Sequence, residues 1–232
     1  PNWAGSSWYF LRFMDARNDK EFASMKAMKY WGQVDWYNGG MEHTARHLLY
    51  ARFWVQFLHN IGLVPKSEMI DIRVSHGMVL GSDNQKMSKS KGNVINPDDV
   101  VSEFGADTLR VYEMFMGDYT CDAPWSTDSL RGCKRFIDKI IRLKDKVVSG
   151  DEYTKSLEAL INKSIKKIGY DLVNMAYNTA VSTLMILANA YDDCDNITKK
   201  DYETLLILLN PIAPHITEEL NEALGNKPIV EQ

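Results

Sequence analysis

Cysteine is scarce: Cys121, Cys133 and Cys194 are the only three in 232 residues, and no two form a CxxC pair. That argues against a disulfide scaffold and leaves no paired short spacing for a structural zinc site; reduced thiols and a cytosolic setting are expected. Long apolar runs are also missing. None approaches the ~20 residues that span a bilayer, and no signal-peptide pattern is present, so no membrane partner is expected. Basic charge is not in excess, because 27 Lys and Arg stand against 31 Asp and Glu, giving a net charge of −4. This argues against a dedicated nucleic-acid binder, although local basic stretches remain able to touch phosphate. There is no initiator Met, and the opening Pro1-Asn2-Trp3 reads as a cut made inside a longer protein.

What is present divides into two textures. Residues 1–125 are rich in Gly, Trp, Tyr and short motif-like segments, whereas 126–225 read almost wholly as helix, within a second domain expected over 126–232. Pro124 breaks the chain at the join, and Ser126, Thr127 or Asp128 can cap the helix that follows. In the first part a strand is expected over 33–38, ended by Gly39-Gly40, then a well-buried helix from Met41 to Ile61 with Gly62 as its stop. A second strand over 73–80, a polar loop over 81–93 and a helix starting at Asn96-Pro97 complete it. Strand, helix, strand, helix is the order of a parallel α/β sheet. In the second part helices are expected over 126–149, 152–170, 174–191, 198–209 and 211–225. Apolar stripes such as Leu157, Leu160, Ile161, Ile165 and Ile168, or Tyr177 to Tyr191 with Leu184 and Ile186, call for an antiparallel bundle.

Four segments carry chemistry. Lys86-Met87-Ser88-Lys89-Ser90-Lys91-Gly92-Asn93 is a lysine-rich loop between a strand and a helix, whose composition suits either a solvated basic loop or the neutralising of charge that builds on a departing pyrophosphate. Gly39-Gly40-Met41-Glu42-His43 through His47 lets a nucleoside approach bare backbone, with Glu42 placed to accept from ribose hydroxyls. His43 and His47 share a helical face, and such a pair can also hold zinc or serve structure alone. The order E-H-x-x-x-H is not H-E-x-x-H, however, so the metalloprotease base is misplaced and a polar-lined substrate pocket is preferred. Trp3-Ala4-Gly5-Ser6-Ser7-Trp8-Tyr9-Phe10 suits either a core or a pocket for an apolar side chain. Ser75-His76-Gly77-Met78-Val79 suits either an ordinary strand or a backbone grip on adenine with His76 near phosphate.

In this order the motifs resemble the leucyl family of class I aminoacyl-tRNA synthetases over almost the whole chain. KMSKS is one of the two signatures of that class, and the G-G-x-E-H-x-x-x-H-L-L-Y run points to leucine rather than isoleucine, valine or methionine. Phe104 to Arg110, Tyr177-Asn178-Thr179-Ala180 and Pro211 to Leu220 are similar to the family as well, the last to the closing helix of its anticodon-binding domain.

The fold implied is the C-terminal half of a Rossmann-like catalytic domain, then an antiparallel helical bundle of anticodon-binding type. The resemblance implies that Lys86 and Lys89 act on the phosphates. It places Gly39, Gly40, Glu42, His76, Met78 and Val79 with them around ATP, and Trp3, Ser6, Tyr9, His43 and His47 around leucine. The partners implied are leucine, ATP and tRNA(Leu), with Mg²⁺ arriving on ATP and no protein-bound metal. The other class signature, H-I-G-H, is absent, so the chain is expected to be an inactive fragment lacking the N-terminal half of its catalytic domain. Two rival readings stand beside this one. The first is a non-catalytic helical RNA- or protein-binding module using basic stretches such as Lys134 to Lys146 or Lys163 to Lys167. The second is another small nucleotidyltransferase, which the helical tail disfavours.

Overall fold

The computed structural model describes residues 3–231; Pro1 and Asn2, the expected cut, lie outside the described residues, as does Gln232. The chain forms two compact units, Pro1–Gly77 and Met78–Gln232.

The first unit begins with a 3-10 turn at Gly5–Ser7, then α1 (Tyr9–Phe13) and α2 (Met25–Trp31), the latter capped by Ser24, whose hydroxyl accepts from the Ala27 amide at 3.2 Å. Strand β1 (Val34–Gly40), helix α3 (His47–Asn60) and strand β2 (Ile70–His76) follow. β1 and β2 pair in parallel from Val34 opposite Ile70 to Gly40 opposite His76, with α3 as the crossover that a parallel pair requires. The strand therefore continues through Gly39 and Gly40 instead of ending before them. The expected helix also starts late, since Met41–Ala45 is a 3-10 turn and Arg46, with φ −122° and ψ −105°, breaks it from α3. At the other end Gly62 does terminate α3. Its φ of +78° lets its own amide bond His59 and the Leu63 amide bond Leu58.

α3 is buried on one face only. Leu48, Ala51, Val55 and Leu58 recur every three or four residues and meet Leu11, Met28, Val64 and Met69. Leu49, Phe53, Phe57 and Ile61 are exposed, so the expectation of a well-buried helix holds for half its circumference.

The second unit opens with β3 (Val79–Leu80), separate from β2, which splits the single strand expected over 73–80. Helices α4 (Pro97–Phe104) and α5 (Ala106–Phe115) lead to β4 (Ala123–Pro124), which pairs in parallel with β3. Then come α6 (Thr127–Leu143), β5 (Val147–Val148), α7 (Glu158–Val173), α8 (Tyr177–Asp192), β6 (Ile197–Thr198), α9 (Lys199–Leu209) and α10 (Pro214–Glu222). Asn96 and Ser126 cap α4 and α6 through their side chains, and Pro97 occupies the first turn of α4.

The residues at 125 and 126 are packed in the middle of this unit. The Tyr112 hydroxyl accepts from the Ser126 amide at 2.7 Å, and the Tyr112 and Trp125 rings meet edge to face. Leu157, Ile161 and Ile168 of the α7 stripe are buried with Leu184, Leu187 and Tyr191 of α8. Ile165 and Ile186 are exposed, the latter because two residues beyond Leu184 is about 200° round the helix. Burial pushes the Cys133 thiol up to about 11, making it a small core hydrophobe. Among the described residues no helix is long and apolar enough to cross a membrane.

Two family-like segments interlock in this unit. The carboxylate of buried Asp107, at the start of α5, accepts from the Ile216 amide at 2.6 Å and faces His215 Nδ1 at 2.8 Å, capping the first turn of α10. One turn on, Arg110 donates to the carbonyls of Ile212 at 2.7 Å and Pro211 at 3.2 Å. Asp107→Ala strips α10 of that cap and is expected to lower the unfolding free energy by about 1–3 kcal/mol. A urea titration of the chain measures it, and an unchanged midpoint would contradict the capping role.

Candidate adenylate-forming site

The sequence-predicted residues fall on both units, and each set has its own geometry. In the first unit His47 is the hub. It is 6% exposed, its Nδ1 lies 3.0 Å from the Tyr37 hydroxyl, and its Nε2 meets the Ser6 carbonyl. Both ring nitrogens are thus engaged by protein groups, which leaves this imidazole no lone pair for a metal. The rings of Trp3, Tyr9, Tyr37 and His43 all lie with centroids 6.0–6.4 Å from it or from one another. His43 Nδ1 is buried with no hydrogen-bond partner among the described residues. A polar atom left bare in an aromatic nest is costly, and a ligand that bonds to it removes the cost. A cavity of about 370 Å³ runs past Tyr9, Tyr37 and His47, and one of about 570 Å³ past Trp3, Ser7, Tyr50 and Trp54. Trp3, Ser6, Tyr9, His43 and His47 are therefore brought together, with Trp3 and Tyr9 lining different cavities.

Gly39 and Gly40 end β1 beside Ser75 and His76 of β2, at the carboxyl edge of the parallel pair, where α/β sheets bind ligands. The Glu42 carboxylate folds back over Gly40. A Cβ there would come 2.9 Å from the carboxyl carbon, so the bare residue makes room for it. His76 Nδ1 lies 2.8 Å from the Gly77 carbonyl. Arg73, which no sequence motif marks, donates to the Ser75 hydroxyl and points a second nitrogen at the Gly40 carbonyl at 3.4 Å. Tyr37 is unmarked as well. Its only signal is its place on β1, within the strand that meets the His47 ring.

In the second unit Met78 and Val79 are tied to β4 and to Asp122 just before it. The Met78 amide donates to Asp122 at 2.6 Å, and its carbonyl accepts from the Ala123 amide at 3.0 Å. The lysine loop is an ordered turn. Leu80 and Lys86 bridge antiparallel, the Gly81 amide donates to the Gln85 carbonyl at 2.8 Å, and Lys89–Lys91 form a 3-10 turn stopped by Gly92 at φ +65°. Met87 packs onto the core of the unit. Lys91 Nζ donates to Gln85 at 2.6 Å, whereas the ammoniums of Lys86 and Lys89 have no hydrogen-bond or ion-pair partner among the described residues. The basic stretches of the rival reading differ in this respect. Lys134 pairs with Asp138, Lys139 and Lys146 with Asp192, and Lys167 with Asp171, so much of that charge is already neutralised.

A parallel strand pair with a glycine end, a KMSKS turn and a helical bundle following it in the chain are parts of a class I tRNA synthetase, and the chain belongs to that family. Residues 35–126 match the family described as tRNA synthetases class I (I, L, M and V), and 154–232 the anticodon-binding domain of tRNA ligase. Within the class the chain is a leucyl-type segment. It is 57% identical over 225 residues to leucine–tRNA ligase of Alkaliphilus oremlandii, covering 97% of this chain and 28% of that protein. A crystal structure of Agrobacterium radiobacter LeuRS, in a ternary LeuRS-tRNA-LeuAMS complex, superposes with a TM-score of 0.86 at 28% identity. That match covers 98% of this chain and 32% of the LeuRS chain. Mycobacterium tuberculosis methionyl-tRNA synthetase bound by methionyl-adenylate shares the fold, with a TM-score of 0.67 at 16% identity over 94% of this chain and 48% of its own. The chain thus spans about 28% of the length of its curated relative.

Proposed function

We propose that this chain is the part of a leucine–tRNA ligase that supplies the phosphate-facing lysine loop, the adenosine cradle and the helical domain that follows them. In the first step the leucine carboxylate attacks the α-phosphorus of ATP. A new P–O bond forms as the bond to the β-phosphate oxygen breaks, and pyrophosphate leaves with its magnesium. A terminal hydroxyl of tRNA(Leu) then attacks the leucyl carbonyl and releases AMP. Neither step needs an enzyme nucleophile, so the protein's work is positioning and charge stabilisation.

Lys86 and Lys89 meet the charge on the leaving pyrophosphate. Gly39, Gly40 and Glu42 hold the ribose side of adenosine, Met78 and Val79 flank adenine, and His76 lies toward phosphate. Trp3, Ser6, Tyr9, His43 and His47 receive leucine. The observation that carries this reading is the ordered KMSKS turn, in which one lysine is held by the protein and two ammoniums are left unengaged among the described residues. Residues 1–125 act as the catalytic portion and 126–232 as the tRNA-binding portion, and the enzyme works in the cytoplasm.

The H-I-G-H signature is not among the 232 residues, and class I chemistry sets it against the lysine loop. The chain by itself is therefore expected to give no leucine-dependent pyrophosphate–ATP exchange, while the full-length enzyme does. Exchange by the isolated chain at a rate near that of the intact enzyme would overturn the division of the site.

A further inference from the structure

The lysine loop needs something to hold it, because three like charges within six residues repel one another. We propose that Asn93, working on Asp83, is the positioning residue of this loop and fixes the backbone that carries Lys86 and Lys89; the proposal rests on the adenylate-forming reading above. The Asn93 carboxamide reaches three points at once. Its Oδ1 accepts from the Ser88 amide at 2.9 Å, its Nδ2 donates to both Asp83 oxygens at 3.2 Å, and the same nitrogen lies 3.4 Å from the Lys86 carbonyl. Asp83 in turn accepts from the Gln85 amide at 3.0 Å, so the side-chain pair ties the entry of the turn to its exit.

A primary amide suits this place. It must accept at Ser88 and donate at Asp83, and a carboxylate would set two negative charges together. Gly81 makes the clasp sterically possible. A Cβ on it would come 2.6 Å from Asp83 Oδ1 and 2.9 Å from Asn93 Nδ2. The Gln85 amide, helped by Asn93, also holds the Asp83 carboxyl below its ordinary value, as expected of a carboxylate whose charged form accepts these bonds.

The test uses the full-length synthetase that contains this chain, assayed for leucine-dependent pyrophosphate exchange over a range of ATP. Asn93→Ala is expected to lower kcat about 10- to 100-fold, the loss expected when catalytic groups are held in the wrong place, while KM for leucine stays unchanged. Asn93→Asp is expected to be at least as damaging. Adding Asp83→Asn to it restores a donor opposite an acceptor and is expected to recover about tenfold over Asn93→Asp alone. A kcat for Asn93→Ala within twofold of the parent overturns the proposal, as does a double variant no better than Asn93→Asp. Lys89→Ala separates the two readings. If it also leaves exchange intact, the adenylate-forming reading fails; if it abolishes exchange while Asn93→Ala does not, only the clasp fails.

Discussion

Asp201→Ala is expected to lower the unfolding free energy of the chain by about 2–4 kcal/mol, more than the other caps in the helical region. Asp201 is 0% exposed and lies at the third position of α9. Its carboxylate accepts from the Thr198 amide at 2.9 Å, completing a capping box in which the Thr198 hydroxyl accepts from the Asp201 amide at 3.2 Å. The same carboxylate accepts from the Thr154 amide at 3.1 Å and the Thr154 hydroxyl at 2.6 Å, so it also fastens the segment leading into α7. Alanine leaves these half-buried donors without their acceptor, and it removes a negative charge from a helix N-terminus that favours one. An asparagine side chain would keep an acceptor oxygen but add an amide where only donors stand, so Asp201→Asn is expected to fall between alanine and the parent. Guanidinium unfolding at constant slope measures the series. A drop below about 1 kcal/mol for alanine would mean that water replaces the carboxylate.

That residue shows where sequence reading stops. The helix over 198–209 was legible, and its start was set by the break before it. The long-range partner of Asp201 was not, because Thr154 lies 47 residues away and no local period marks it. Asp107 with His215 is the same case over 108 residues, even though both segments stood out by resemblance.

The candidate site divides along similar lines. The lysine loop and the Glu42-His43-His47 run were legible because order along the chain carries their identity. The late start of α3 was not, since Met41 to Ala45 has ordinary helical composition and only the backbone at Arg46 reveals the break. Apolar residues around the whole circumference of α3 suggested burial on all sides, but periodicity cannot say how many faces are covered within a given chain. Tyr37 had no motif of its own and matters through the His47 ring that folding brings to it, and Asn93 closed the lysine motif without any sign of the bonds its side chain makes to Asp83, Lys86 and Ser88.

Lys89→Ala in the full-length enzyme is expected to lower kcat for pyrophosphate exchange by about 10²–10³-fold, with KM for leucine unchanged. The reason is differential binding. Charge on the bridging oxygen and pyrophosphate rises as the α–β bond breaks, so an ammonium aimed there gains more in the transition state than in the ground state. Lys89 lies in the 3-10 turn with no partner among the described residues, so its charge is not already spent within the protein. Lys91, two residues on, is the internal control. Its ammonium is committed to Gln85 at 2.6 Å, and Lys91→Ala is expected to cost less than about fivefold, the scale of an exposed polar pair. Lys89→Arg keeps the charge but spreads it over a planar fork, so partial recovery is expected. A Lys89→Ala enzyme with raised KM for ATP and unchanged kcat would assign this lysine to ground-state binding of the nucleotide. Equal losses at Lys89 and Lys91 would mean that the loop acts through its net charge, and the distinction between a latched lysine and an unengaged one would then have no catalytic meaning.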